Sequence, residues 1–293
     1  MRRVASIDIG TNSTRLLVAE YRDKHLNRIE TDLVTTRLGR GMGAGRLLPE
    51  TMRHTAEAIG RFYQKALDLG AKAIIAAATS AVRDASNSGD FLELVKRKTG
   101  LTVRVLSGAE EAALSWRGVI SGLPVEPGST LVIDIGGGST EFIRMQGKRL
   151  SLASVNAGAV RFTAAKAGTA AMYEVLEPVL IRLKQQAPRS LIGVGGTITT
   201  LAAVDQQLSP YDPERVHGYR LTRRSVQRIL SILSNMGIEE RKKVKGLPPP
   251  RADIIVAGVQ IAGMIMENLG LSDMLVSECD ILYGLALEEI ERK

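Results

Sequence analysis

One heptapeptide occurs twice in this chain. Asp8-Ile9-Gly10-Thr11-Asn12-Ser13-Thr14 returns 126 residues later (134 − 8) as Asp134-Ile135-Gly136-Gly137-Gly138-Ser139-Thr140, with five of seven positions identical. Each copy ends an apolar run, Val4–Ile9 or Leu131–Ile135, and opens a second strand-like segment, Thr14–Tyr21 or Glu141–Met145. A chance echo would repeat letters without repeating their context, so internal duplication is the better account. The segments after each copy support it. After the first come an extended stretch (Leu26–Leu38) and a helical pattern with Pro49 near its start and Met52, Ala56, Ile59, Tyr63 and Ala66 on one face, closed by Gly70. A strand at Lys72–Ala78, a helix at Gly89–Thr99 and a short strand at Val103–Val105 complete the first half. After the second copy come a strand at Leu150–Val155 and helices near Tyr173–Gln186, Ser225–Asn235 and Arg251–Leu269. The last is apolar almost all round and is predicted to be buried, with Gly258 and Gly263 admitting a close neighbour. Two prolines and three glycines or serines between Ser121 and Gly128 mark a break between the halves. The pattern is α/β.

Composition limits what such a chain does. Its 293 residues suffice for two domains with separate cores, and 44% hydrophobic with 24% charged residues excludes a disordered chain. One cysteine, Cys279, forms no internal disulfide, and with His25, His54 and His217 scattered no structural zinc site can be assembled. The acidic Asp8 arrives before a signal-peptide apolar region could form, and the longest apolar stretch, Ile254–Met266, is broken by Gln260. It falls short of the roughly 18 residues of a membrane span. A cytoplasmic protein without membrane attachment is expected. Lys and Arg number 39 against 31 acids, net +8, which favours anionic partners. Aromatics at 4% are too few for a nucleic-acid stacking platform, so composition points to an anion and no further.

The repeated turn suits that anion. Glycines let backbone N–H groups converge on an oxyanion, and the side chains of Thr11, Asn12, Ser13, Ser139 and Thr140 add polar groups beside Gly10, Gly136, Gly137 and Gly138. Asp8 and Asp134 would repel phosphate directly, so their natural role is to hold a divalent cation or water beside it. The alternative is a pair of hairpins chosen only for their dihedrals. A third cluster, Gly193-Val194-Gly195-Gly196-Thr197, reads equally as a phosphate contact or as a tight strand-to-helix turn. Neither the Walker pattern nor G-x-G-x-x-G is present. Ser107 and Glu110 stand in the S-x-x-E relation of a capping box, which gives Glu110 a structural duty and leaves Glu111 as the candidate general base. A solvated first-turn acid is its alternative. Arg83 stands just past a strand end, where a guanidinium fork can grip phosphate or simply pair with Asp84 or Asp90.

At these residues the chain resembles the exopolyphosphatase and guanosine pentaphosphate phosphohydrolase (Ppx/GppA) family, in its short two-domain form. The resemblance is carried by the two heptapeptides with Glu141, by Ala78-Thr79-Ser80-Ala81-Val82-Arg83 and Ser107-Gly108-Ala109-Glu110-Glu111-Ala112, and by Gly158-Ala159-Val160-Arg161 and Arg251–Gly258. It implies two duplicated actin-like (ribonuclease H-like) α/β domains with a cleft between them: 1–121 joined by the C-terminal helix 280–293, and 122–279. It implies Mg²⁺- or Mn²⁺-dependent release of terminal phosphate from polyphosphate or from guanosine penta- or tetraphosphate, and a homodimer. Glu111, Arg83 and Glu141 would be catalytic. Gly10, Thr11, Asn12, Ser13, Gly136, Gly137, Gly138, Ser139 and Thr140 would bind phosphate, with Asp134, Glu141 and Asp8 at the metal. The family often has an arginine where Leu282 aligns, so one basic contact is expected to be missing or moved. A kinase-like or nucleotide-gated member of the same superfamily is the alternative.

Overall fold

The repeated heptapeptide forms the same antiparallel hairpin twice, once in each of two units. The computed structural model describes residues 2–292, and the units are Met1–Ser121 with Cys279–Lys293, and Gly122–Glu278. In the first unit β1 (Arg2–Ile9) and β2 (Thr14–Arg22) flank the turn, β3 (His25–Val34) pairs with β2, and β4 (Ala73–Ala78) and β5 (Val103–Val105) add in parallel on the other side. The order is β3-β2-β1-β4-β5. β1 reads as a continuous apolar run because both faces of its sheet are covered. Ala5, Ile7 and Ile9 pack with α1 (Pro49–Asp68) and α3 (Ser88–Thr99), which lie on either side of the short α2 (Ser80–Asp84) in sequence. Val4, Leu17 and Ala19 face the C-terminal helix Ile281–Glu291 through Leu282, Ala286 and Ile290, a four-residue spacing that forms one helical stripe. Leu282 is thus a core residue. Pro49 begins α1, where its missing N–H costs nothing.

The extended reading of Leu26–Leu38 ends early. β3 stops at Val34, and Leu38–Ala44 winds as a 3-10 helix after Arg37 takes a left-handed φ of 52°. That segment has a purpose at the turn, described below.

In the second unit β6 (Thr130–Ile135), β7 (Thr140–Gln146) and β8 (Arg149–Val155) form the meander, followed by α5 (Ala159–Ala164), α6 (Thr169–Gln185), β9 (Ser190–Val194) and α7 (Gly195–Asp205). Then come α8 (Pro213–Val216), β10 (Arg220–Thr222), α9 (Arg223–Ser234), α10 (Ile238–Arg241), α11 (Ile255–Asn268) and β11 (Asp273–Val276). The sheet order is β10-β11-β9-β6-β7-β8. Read from its far end, β8-β7-β6-β9-β11 repeats the order of the first sheet, with β10 added at the edge. The duplication seen in seven residues extends to the whole topology.

α11 is buried as predicted but starts at Ile255, because Pro248, Pro249 and Pro250 confine the preceding residues to a 3-10 turn. A Cβ on Gly258 would lie 2.6 Å from the Thr197 side chain, so that glycine does admit α7; at Gly263 the nearest atom is 3.8 Å away, ordinary contact that needs no glycine. One imidazole ties both ends of this unit: the Glu278 N–H donates to His217 Nδ1 (3.2 Å), and Nε2 lies 3.1 Å from the Gly122 carbonyl. Among the described residues no helix is long and apolar enough to cross a membrane.

Candidate functional site

Each turn closes with the same bond, Gly10 N–H to the Ser13 carbonyl and Gly136 N–H to the Ser139 carbonyl, both 3.0 Å. The next carbonyls are claimed by the element after the third strand. In the first unit the N–H groups of Gly39 and Arg37 donate to the carbonyls of Thr11 and Asn12, each at 2.8 Å. This is why the chain turns into a 3-10 helix there. In the second unit the N–H groups at the start of α5 donate to the loop: Ala159 to Gly136 (3.1 Å), and Val160 and Arg161 to Gly137 (2.8 and 3.0 Å). Arg161 Nε adds a bond to the Gly138 carbonyl at 2.7 Å. With carbonyls turned to a supporting helix, the N–H groups of Thr11, Asn12, Gly137 and Gly138 bond no protein acceptor among the described residues. That is the arrangement of an anion nest. Gly158 lies so close beneath the second loop that a Cβ would fall 2.4 Å from the Gly137 oxygen.

The turn side chains divide. Thr11, Asn12, Ser13 and Ser139 are all buried. Thr11 Oγ1 meets Ser80 Oγ at 3.0 Å, which links the first turn to the start of α2, and Asn12 Nδ2 donates to Ser13 Oγ at 3.3 Å. Thr140 corrects the sequence reading. Its side chain is fully buried and its hydroxyl donates to the Ala157 carbonyl, just as Thr14 pairs with Thr36 in the first unit. Both threonines anchor the hairpin to the segment that supports it, and neither offers its hydroxyl to a ligand.

Strand register places one residue opposite each acid on the same sheet face. Asp8 faces Arg15, and Asp134 faces Glu141. Arg15 donates twice to Asp8 Oδ2 (3.0 and 2.7 Å) and reaches Asp280, which caps the C-terminal helix at the Leu282 N–H. Burial pushes the Asp8 carboxyl up while Arg15 pulls it down; burial also opposes the Arg15 charge, but Asp280 and Asp8 more than offset that, so the guanidinium stays protonated. Asp8 Oδ1 is buried without a hydrogen-bond partner. In the second unit Glu141 Oε1 accepts from Ser154 Oγ (2.8 Å), and Gly195, at the N-terminus of α7 with φ 85°, lies so close that a Cβ would fall 2.5 Å from Asp134 Oδ1. The Gly193–Thr197 cluster is therefore a strand-to-helix turn that brings a helix N-terminus against an acid, a favourable pairing.

Arg83 extends from α2, and Glu111 is buried in the first turn of α4 (Gly108–Gly122). Arg83 Nη1 donates to Glu111 Oε2 and to the Leu106 carbonyl, each at 3.0 Å, while its Nε stands 3.5 Å from Asp84. The principal partner of Arg83 is the candidate base rather than a surface acid. The capping box forms: Glu110 N–H to Ser107 Oγ (3.2 Å), Ser107 N–H to Glu110 Oε2 (2.9 Å). Arg104, then Ser107, hold the Glu110 carboxyl down at about 2. Its contribution to stability is therefore complete above the ordinary carboxylate range and lost as pH falls toward 2.

The structure adds residues that sequence reasoning gave no individual role: Arg15, Ser154, Gly158 and Arg161. Arg15 was accessible in principle, since a turn of known closure fixes which residue lies opposite Asp8. Gly158 and Arg161 lay in a quoted motif, but nothing in the sequence says which loop they support.

No group of three or more His, Cys, Asp or Glu is assembled among the described residues. Mg²⁺ does not require one. It is usually held by one or two carboxylates, its other positions taken by water and substrate phosphate. Asp134 and Glu141, hard oxygen donors on one sheet face, fit that demand, and Asp8 offers one orphaned oxygen in the first unit.

Comparison with known proteins agrees with this architecture. Over 98% of both chains the sequence is 32% identical to exopolyphosphatase 2 of Mycobacterium tuberculosis. It is 36% identical, over 99% of its length, to a bifunctional 3-dehydroquinate synthase/phosphatase of Fusobacterium nucleatum, of which it spans 47%. The crystal structure of an exopolyphosphatase from Cytophaga hutchinsonii superposes with a TM-score of 0.91 at 26% identity, covering 99% of this chain and 98% of that one. Residues 17–293 match the model of one family, and the chain belongs to it: the Ppx/GppA phosphatase family.

Proposed function

We propose that the protein is a Mg²⁺-dependent phosphohydrolase that releases terminal orthophosphate from linear polyphosphate. The observation that carries the reading is the anion nest built twice, each with its carbonyls held back by a supporting helix and its amides presented. Guanosine pentaphosphate offers the same terminal group. Polyphosphate is favoured because a relative that matches over 98% of both chains is named an exopolyphosphatase.

Phosphoryl transfer needs position and charge neutralisation more than covalent help. Within the first unit the amides of Thr11 and Asn12, and within the second those of Gly137 and Gly138, would offer donors to phosphate oxygens. Arg83 would contribute its planar fork. Asp134 and Glu141 would hold Mg²⁺, which when bound supplies positive charge to the phosphate oxygens. Ser154 fixes Glu141 for that role. Glu111, buried in the first turn of its helix, would accept the proton of the attacking water.

The test is orthophosphate release from polyphosphate and from guanosine pentaphosphate with Mg²⁺, comparing wild type with Glu111→Ala. Loss of the base should lower the rate about 10²–10⁴-fold. Equal rates would remove Glu111 from the mechanism. Turnover of ATP with no release from either substrate would favour the kinase-like alternative.

A further inference from the structure

We propose that Arg83 and Glu111 form a clasp that the substrate opens: Arg83 holds the base in the resting protein, and the terminal phosphate takes the guanidinium and so releases the carboxylate to work. This deepens the reading above and rests on Glu111 being the base.

Three observations support it. The first is which atom is engaged. Glu111 Oε2 receives Arg83 Nη1 at 3.0 Å, and that N–H occupies one of the sites through which the carboxylate could accept a proton from water. The second is the state of the fork. Nη1 is shared between Glu111 and the Leu106 carbonyl, Nε faces Asp84 at 3.5 Å, and Nη2 donates to nothing among the described residues. The present grip on Glu111 uses a single N–H, whereas a phosphate with several charged oxygens can take two in parallel. A bidentate anion displaces a monodentate one. The third is burial. The side chains are 23% and 11% exposed, so neither charge is left to water and each is sensitive to the loss of its partner. The neighbouring Arg104 is committed to Glu110 and Glu288, each at 2.7 Å.

The consequence is that binding and chemistry trade against each other at one pair. In the resting state Glu111 competes with phosphate for Arg83, so removing its charge should tighten binding while slowing hydrolysis. The experiment is equilibrium binding of a linear polyphosphate of defined length, with divalent cations omitted so that no protein turns it over. Four proteins form a cycle: wild type, Glu111→Gln, Arg83→Gln and the double variant. Glu111→Gln should bind about threefold to thirtyfold more tightly, the range expected for directly coupled neighbours. In the Arg83→Gln background the same change should give less than about twofold. A fifth protein, Glu111→Asp, keeps the charge but withdraws it by one methylene, and it should also bind more tightly. It keeps the inference testable should Glu111→Gln fold poorly. The clasp is overturned if Glu111→Gln binds no more tightly than wild type, or if it tightens binding equally with and without Arg83, which would be simple relief of repulsion. The base assignment fails separately, if Glu111→Gln with Mg²⁺ releases phosphate at the wild-type rate.

Discussion

Opposite the acid of the first turn stands a cation, Arg15; opposite the acid of the second stands another acid, Glu141. Much of the backbone around that position is shared. The strand register, the closing bond of each turn, the threonine anchor and the helix that takes the loop carbonyls recur in both units. The backbone device depends on the glycine, the turn length and a donor-bearing helix beneath, and these have been kept. The electrostatics depend on one cross-strand side chain, and that has changed. The first turn brings its own positive charge and ties it to the C-terminal helix through Asp280. The second brings two carboxylates, which is a stronger reason to expect a bound cation there than at the first turn.

The largest test of this contrast is Arg15→Leu. Asp8 and Asp280 are both buried, and removing the guanidinium between them leaves two acids without their shared cation. Stability should fall by about 3–5 kcal/mol, read from the shift in urea unfolding midpoint. A loss below about 1 kcal/mol, the worth of a surface pair, would show that Asp8 does not depend on Arg15.

Glu141→Gln probes the other turn through activity rather than stability. Phosphate release should fall about 10²–10³-fold, the order of effect seen when one preorganised electrostatic contact is removed from an active site. The Mg²⁺ concentration giving half-maximal rate should rise as well. An unchanged Mg²⁺ dependence would break the comparison, because the second pair would then hold no metal. Glu141→Arg rewrites the second turn in the manner of the first, and it should fold while losing Mg²⁺-dependent activity.

How much of this the sequence discloses follows the range of each interaction. The paired turns, the capping box at Ser107–Glu110 and the start of α1 at Pro49 are legible because they are local: a few consecutive residues determine the dihedrals and the bond that closes them. The apolar faces of α1 and α11 are legible because periodicity reports burial. The sequence is silent on partners that meet only through the tertiary fold. Gly39 looks like an ordinary loop glycine until its N–H is seen 2.8 Å from the Thr11 carbonyl, and Gly158 until the Gly137 backbone is found where its Cβ would lie. Leu38 continues an extended pattern in the sequence, yet it opens a 3-10 helix because the turn carbonyls need donors. Arg83 was readable as a phosphate contact or a surface pair. Its bond to Glu111 belongs to neither reading.

The smallest expected effect is also the most even-handed between the units. Thr14 and Thr140 occupy the same place in the two copies, both are fully buried, and each uses its hydroxyl to hold the hairpin to the segment leading into its supporting helix. Thr14→Val and Thr140→Val preserve shape and remove one buried hydrogen bond apiece. Each should cost about 1 kcal/mol in urea unfolding. Because Thr140 points away from the nest, its replacement should leave KM for polyphosphate within about twofold of wild type, a smaller change than one hydrogen bond to a charged group is worth. A tenfold rise in KM for Thr140→Val, with none for Thr14→Val, would return Thr140 to the phosphate contacts. It would also mean that the second turn changes its anchoring when substrate binds, a difference between the copies that the resting structure does not contain.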